Sequence, residues 1–282
     1  VVASETAALD IVGASFVREV DPGELIIVNA SGVRSERFAE KKHKGCVFEY
    51  VYLARPDSVI RQQSVHETRV EIGRRLEYPA DCDLVIPVPD SVTPAAVGYA
   101  QGSGIPFGLG LVKNAYVGRT FIQPSQTIRQ LGIRLKLNPL RQIIDGKRLV
   151  VVDDSIVRGN TQRALIRMLR EAGAAAVHVR IASPPVKWPC FYGIDFASPG
   201  ELIANAVTSD NEAEMVQSVC TAIGADSLGF VSTQSMVEAT KQSREELCCA
   251  CFDGVYPLGL PAGNPNAELV SALQRGSCGS ID

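Results

Sequence analysis

The stretch Val150-Val151-Val152-Asp153-Asp154-Ser155-Ile156-Val157-Arg158-Gly159-Asn160-Thr161 decides how this chain folds. A β-branched apolar run meets two adjacent carboxylates, then a short polar turn with one glycine, and residues 162–171 read as helix. A run of this length ending in charge and a glycine turn predicts a buried parallel strand, with its polar tip at the carboxyl edge of a sheet. Open α/β sheets bind their ligands at that edge.

The chemistry follows from the residue types. The first turn of a helix offers unpaired N–H groups and a partial positive charge, so the loop Ser155, Ile156, Val157, Arg158, Gly159, Asn160 and Thr161 suits a phosphate. Asp153 and Asp154, just before the loop, are in the wrong place to hold that phosphate. They suit ribose hydroxyls or a Mg²⁺ ion brought by a polyphosphate, because Mg²⁺ takes hard oxygen ligands. A plain buried strand with a capped helix and solvated acids fits the pattern equally well, since one glycine makes a weak phosphate motif.

Working outward, 282 residues of which 46% are hydrophobic allow a full core in one or two domains. A net charge of −3 offers no general attraction to nucleic acid or to an anionic membrane, and residues 41–44 read as a solvated basic linker. No run of 18 apolar residues and no charged-then-apolar leader is visible, so a cytoplasmic protein without membrane or nucleic-acid partners is expected. Eight cysteines in a reducing compartment point to a metal or cluster rather than to disulfides.

Coarse elements complete the reading. Residues 6–11 predict a short helix, 15–20 and 24–28 two β-rich runs around the turn Pro22-Gly23, and 34–44 a polar linker. Residues 46–53 predict a strand before a proline turn, and 64–76 a mostly polar surface helix. A second apolar strand ends in Asp90 and Ser91, with a helix from Pro94 behind it. Residues 113–121 mix cations, an aromatic and glycine, which suits a mobile cover over an anion. Helix 161–172 with Gly173 at its end and strand 176–182 complete a β-α-β unit. Ser198 to Glu201 form a capping box, 211–223 a helix, and everything after Pro257 a loosely ordered tail. Cys248 and Cys251 form a C-x-x-C pair, which zinc, a redox couple or an iron–sulfur cluster would equally suit.

The wording VVVDDSIVRG resembles the ribose-phosphate loop of the type I phosphoribosyltransferases, which bind phosphoribosyl pyrophosphate (PRPP), and most closely that of the glutamine PRPP amidotransferase family. KNAYVGRTFIQPSQ resembles that family's flexible loop, and CVFEYVYLARPDS and PCFYGIDF resemble its cysteine-bearing segments. The resemblance implies an α/β type I phosphoribosyltransferase fold over residues 45–257, a glutaminase remnant over 1–44 and a tail over 258–282. It implies Ser91, Asp153 and Asp154 as Mg²⁺ ligands, residues 153–161 as the PRPP site, and Lys113, Tyr116 and Arg119 as catalytic lid residues. A [4Fe–4S] cluster on Cys46, Cys190, Cys248 and Cys251 follows in the same way, with Cys249 as second choice in the pair.

Phosphoribosylamine formation from PRPP and ammonia, feedback by purine nucleotides and a homotetramer are implied as well. The chain departs from the family at three places. The family's glutaminase carries its cysteine nucleophile as the first residue of the mature protein, whereas the first residue here is Val1, implying a fragment that takes ammonia rather than glutamine. Val92 stands where glycine is usual, and Asn160 where threonine is more frequent. A PRPP-sensing regulator or an inactive fragment is the competing expectation, and no basic recognition helix supports a DNA-binding regulator.

Overall fold

The computed structural model describes residues 1–79, 81–114, 136–194, 196, 198–206 and 211–276. Its centre is a four-stranded sheet of β1 (Leu84–Pro87), β2 (Arg148–Asp153), β3 (Ala176–Ile181) and β4 (Ser227–Phe230). The order is β4-β3-β2-β1 and every pairing is parallel, with Val151 opposite Val179 on one side and Ile86 on the other. This is an α/β fold with a mainly parallel sheet flanked by helices.

β2 reads as an unbroken apolar run because both of its faces are covered. Val150 and Val152 point into one core with Val85, and Leu149 and Val151 into a second core with Ile86. Helices α1 (Val65–Arg74), α2 (Thr93–Ser103) and α5 (Thr233–Thr240) supply the first core through Ile72, Tyr99 and Met236. Helices α3 (Asn160–Glu171) and α4 (Glu212–Ile223) supply the second through Leu165, Leu169 and Val219. Each loop at the carboxyl ends of the strands therefore emerges between two packed layers.

Several expectations are corrected. Residues 15–20 form no strand; Glu24–Asn29 pairs instead with Gly32–Arg37. The second of these strands is exposed along its whole length, so no apolar alternation marked it and its polar residues read as linker. Residues 46–53 are not one strand: only Gly45–Cys46 is extended, and Glu49–Leu53 is a π-helix closed by Ala54 N–H donating to the Glu49 carbonyl at 3.1 Å. α1 is no surface helix, since Val65, Thr68, Arg69, Val70, Ile72 and Gly73 are all buried. The tail contains the helix Pro265–Gly276, entered through the Asn264 side chain and anchored by buried Ala267 and Val270.

α1 and α2 lie unusually close because glycines meet backbone. A Cβ on Gly73 would stand 1.8 Å from the Ala95 carbonyl oxygen, and one on Gly98 1.8 Å from that of Val70. Neither contact can be relieved by turning a side chain. Gly73→Ala or Gly98→Ala should therefore cost about 3 kcal/mol in urea unfolding, whereas Gly200→Ala, which meets nothing, should stay within about 0.5 kcal/mol. Equal stability of the three variants would contradict this packing.

Candidate functional site

At the end of β2 the chain stops being apolar while still inside the protein. Asp153 is only 7% exposed; its Oδ1 accepts from the Asp154 backbone N–H at 2.9 Å, and its Oδ2 accepts from Gln162 Nε2 on α3. Asp154 Oδ1 accepts from Ser155 Oγ at 2.8 Å, and Oδ2 from Ser91 Oγ at 2.9 Å. Ser91 follows β1, the neighbouring strand, and Val88 N–H extends the ladder to the Val152 carbonyl at 2.9 Å. Ser91, Asp153, Asp154 and Ser155 thus form one connected group at the carboxyl edge.

Burial raises the proton affinity of both acids. Asp153 is pushed well above the ordinary carboxylate range, first by burial and then by the Asp154 charge, against the pull of its two N–H donors. Asp154 is pushed upward by burial too, opposed by the Ser155 and Ser91 hydroxyls and by the charge of Arg69. Such a pair is stabilised in its ionised form by a cation or by further hydroxyl donors. Two carboxylates and a hydroxyl fit Mg²⁺, which takes one or two carboxylates and completes its shell from water and substrate phosphates.

The turn that follows divides its residues between site and core. Ile156 is buried in the second core, and the Val157 carbonyl accepts from Ile203 N–H at 2.9 Å, so these two shape the loop with their backbone. Gly159 has φ +73°, a left-handed conformation cheap only for glycine, and a Cβ there would meet Ile203 Cδ1 at 2.5 Å. α3 begins directly after it with Asn160 and Thr161 exposed. The Asn160 side-chain Oδ1 accepts from Arg163 Nη1 at 2.8 Å, and Arg158 pairs with Glu201 at 3.3 Å.

Val92 carries no backbone strain: its φ is −92° and its side chain is buried at the start of α2. Lys113 ends the strand Leu111–Lys113, which pairs with Leu137–Pro139, and its Nζ is ion-paired with Asp90 beside Ser91. Tyr116 and Arg119, with the rest of the expected lid, lie outside the described residues. Sequence reading missed Gln162, which is buried on the apolar stripe of α3 three positions before Leu165. A polar residue on such a stripe was the available signal.

The cysteines gather away from the acids. Cys46 and Cys248 are Cα partners in a short parallel ladder. Cys251 lies on Ala250–Asp253, and its carbonyl accepts from Lys187 and Trp188 N–H at 3.0 and 3.1 Å, which draws in the segment of Cys190. Burial pushes the Cys46 thiol up to about 12, with a further push from Cys248. Cys251 is pushed well up by burial, and Cys46, Cys190, Cys249 and Cys248 add to it. Burial pushes the Cys249 thiol up to about 11, with Arg244 and Lys44 opposing and Asp253 and Cys248 adding to it.

Backbone N–H groups face three of these sulfurs: Phe48 and Glu49 to Cys46, Ala250 to Cys248, and Tyr192 to Cys190 at 3.4 Å. Donors of this kind favour thiolate and tune the sulfurs of metal centres. The donor set fits a soft metal centre in chemistry. Among the described residues, no group of three or more His, Cys, Asp or Glu side chains is arranged to hold a metal ion.

A parallel sheet whose carboxyl edge carries an acid pair, a phosphate-suited turn and a serine loop on the adjacent strand defines the α/β class seen in phosphoribosyltransferases. Comparison with known proteins narrows this. The chain is 73% identical over 263 residues to amidophosphoribosyltransferase of Mycobacterium tuberculosis, covering 93% of itself and 50% of that protein. It matches the solved glutamine PRPP amidotransferase of B. subtilis complexed with ADP and GMP, with TM-score 0.80 and 49% identity over 90% of this chain and 56% of that one. A structure of the allosteric regulatory enzyme of purine biosynthesis matches equally well, TM-score 0.80, with 55% of that chain covered. The homologues are amidophosphoribosyltransferases, enzymes of the pentosyltransferase class. The chain spans about half the length of these relatives. No family model matches it, and no described helix is long and apolar enough to cross a membrane.

The raised proton affinity of Asp153 has a direct consequence for stability. The folded chain holds a proton that the unfolded chain releases, so this contribution is complete below the ordinary carboxylate range of about 4 and is lost as pH climbs toward the folded value. In metal-free buffer Asp153→Asn should flatten the fall in thermal stability above pH 4. A variant whose stability falls with pH as steeply as the parent's would contradict the burial of this charge.

Proposed function

We propose that this chain carries the phosphoribosyl-transfer site of an amidophosphoribosyltransferase, acting in the first committed step of purine biosynthesis. The observation that carries the reading is the bond from Ser91 Oγ to Asp154, which joins the loop after β1 to the acid pair after β2. Identity of 73% to a named amidophosphoribosyltransferase supports it. Ammonia attacks C1 of PRPP, the bond from C1 to the pyrophosphate oxygen breaks, and 5-phosphoribosylamine and pyrophosphate leave. In the longer protein glutamine is the source of that ammonia, and residues 1–44 belong to the glutaminase part.

In this reading Asp153 and Asp154 take the ribose hydroxyls and, with Ser91, hold Mg²⁺. Held there, the ion would offset the charge that develops on the departing pyrophosphate. The turn 155–161 grips the 5′-phosphate with its N–H groups and the positive end of α3. Lys113, which here pairs with Asp90, is proposed with Tyr116 and Arg119 as the catalytic cationic and aromatic residues that meet the pyrophosphate. Catalysis is then mainly positioning and charge stabilisation.

Cys46, Cys190, Cys248 and Cys251 are proposed to hold a [4Fe–4S] cluster, supported by the backbone pairing of Cys46 with Cys248 and by the N–H groups facing three of their sulfurs. The cluster would tie three distant segments together, a structural role. Purine nucleotides are proposed as inhibitors, in line with the ADP and GMP of the B. subtilis structure, and the assembly as a cytoplasmic homotetramer.

The test is phosphoribosylamine formation from PRPP, Mg²⁺ and ammonium salt. Asp153→Asn with Asp154→Asn should lower turnover at least about a hundredfold while the protein stays folded. Parent-like activity in that double variant, or an inert parent that nonetheless binds PRPP, would overturn the assignment of roles. Iron and sulfide analysis of anaerobically purified protein should give four of each per chain, falling away in Cys251→Ser. One zinc and no iron would replace the cluster by a zinc site.

A further inference from the structure

Arg69 is 2% exposed, on the side of α1 that faces the first core. A buried guanidinium keeps its charge and its fork of N–H donors, and leaving those donors unbonded is costly, so its partners define its purpose. It donates from Nε to the Tyr50 carbonyl at 2.7 Å and from Nη2 to the carbonyls of Ala54 at 2.8 Å and Glu49 at 3.3 Å. From Nη1 it donates to the Ser91 carbonyl at 3.1 Å. All four acceptors are main-chain carbonyls, two on the π-helical turn that follows Cys46, one on Ala54 at its end and one on the loop after β1. Ser91 is thus held twice, by Arg69 at its carbonyl and by Asp154 at its hydroxyl.

We propose that Arg69 is the positioning residue of the Ser91 loop after β1, a rigid fork that fixes Ser91 by bracing it against the Glu49–Leu53 turn. The inference rests on the reading of Ser91 as part of the Mg²⁺–pyrophosphate site. The fork supplies what the loop lacks: β1 ends at Pro87, and Ser91 lies outside any ladder. The π-helical turn depends on Arg69 in return, since the Tyr50 carbonyl and that of Ala54 at its end accept from the guanidinium. One side chain therefore sets two backbone segments relative to each other. The Arg69 charge also lies close enough to Asp154 for each to steady the other's ionised form.

A lysine keeps the charge and loses the fork, so Arg69→Lys separates the two contributions. In ammonia-dependent turnover, Arg69→Lys should raise the half-saturating Mg²⁺ concentration and KM for PRPP about tenfold, with kcat at saturation changed less than about threefold. If Arg69 acts through Ser91, adding Ser91→Ala to Arg69→Lys should give no further rise beyond the larger single effect. A variant with lowered thermal stability but parental Mg²⁺ and PRPP dependence, or effects that multiply with Ser91→Ala, would overturn the proposal.

Should Arg69→Lys fail to fold, the parent protein alone decides: Mg²⁺ with PRPP should slow amide exchange of residues 49–54, on the far side of the brace. Unchanged exchange there, with PRPP bound, would overturn it. A parent that does not bind Mg²⁺ with PRPP at all would instead sink the reading of the site, and the two failures are told apart by that binding.

Discussion

Two carboxyl groups buried side by side at the end of one sheet strand are the constraint on which the rest of the structure depends. Asp153 and Asp154 would be costly anywhere in a core, and the fold surrounds them with donors from three directions: Gln162 from α3, Ser155 from the turn and Ser91 from the loop after β1. Those donors reduce the cost without removing it, as the upward push on both acids by burial makes plain. That cost falls at the carboxyl edge of the sheet, where open α/β folds bind their ligands. A strand buried on both faces delivers its last residues into the crevice above the sheet, and the helix behind it presents N–H groups to the same space.

The packing of the surrounding helices serves that placement. α1 and α2 approach glycine to backbone, so the loop that opens α2 has little freedom to move away from β2. Arg69 sits in the same interface and turns a helix contact into a hold on Ser91. On the far side of its fork lies the π-helical turn that begins three residues after Cys46, and Cys46 is paired through the backbone with Cys248. Cysteine centre and acid pair are therefore two ends of one braced layer. The terminal helix joins the same end through Gln274 Nε2, which donates to the Gly254 carbonyl at 2.8 Å.

Much of this was legible in the sequence where one physical signal ruled. The Val150–Val152 run announces a strand covered on both faces, and the polar residues at its end announce the edge of the sheet. The apolar stripe of α3, the capping box at Ser198 and Gly224 after α4 each follow from local chemistry. What escaped was set by partners distant in sequence. Gly32–Arg37 has no buried face to impose alternation, and Glu49–Leu53 coils as it does in contact with a guanidinium 15 to 20 residues away. Arg69 and Gln162 looked like ordinary polar residues of helices. Their meaning lies in occupying apolar-stripe positions, between Val65 and Ile72 in one case and before Leu165 in the other. Val92 is the converse: an expected irregularity that proved to be a well-packed core residue with ordinary backbone.

The most direct measurement of the central claim is thermal unfolding of the chain with Mg²⁺ alone, PRPP alone in chelator, and both together. If the buried acid pair is completed by a cation carried on a polyphosphate, the two ligands together raise the melting temperature well beyond the sum of their separate effects, and Asp153→Asn with Asp154→Asn abolishes the excess. PRPP stabilising as strongly in chelator as with Mg²⁺, or an excess that survives loss of both acids, would contradict the account.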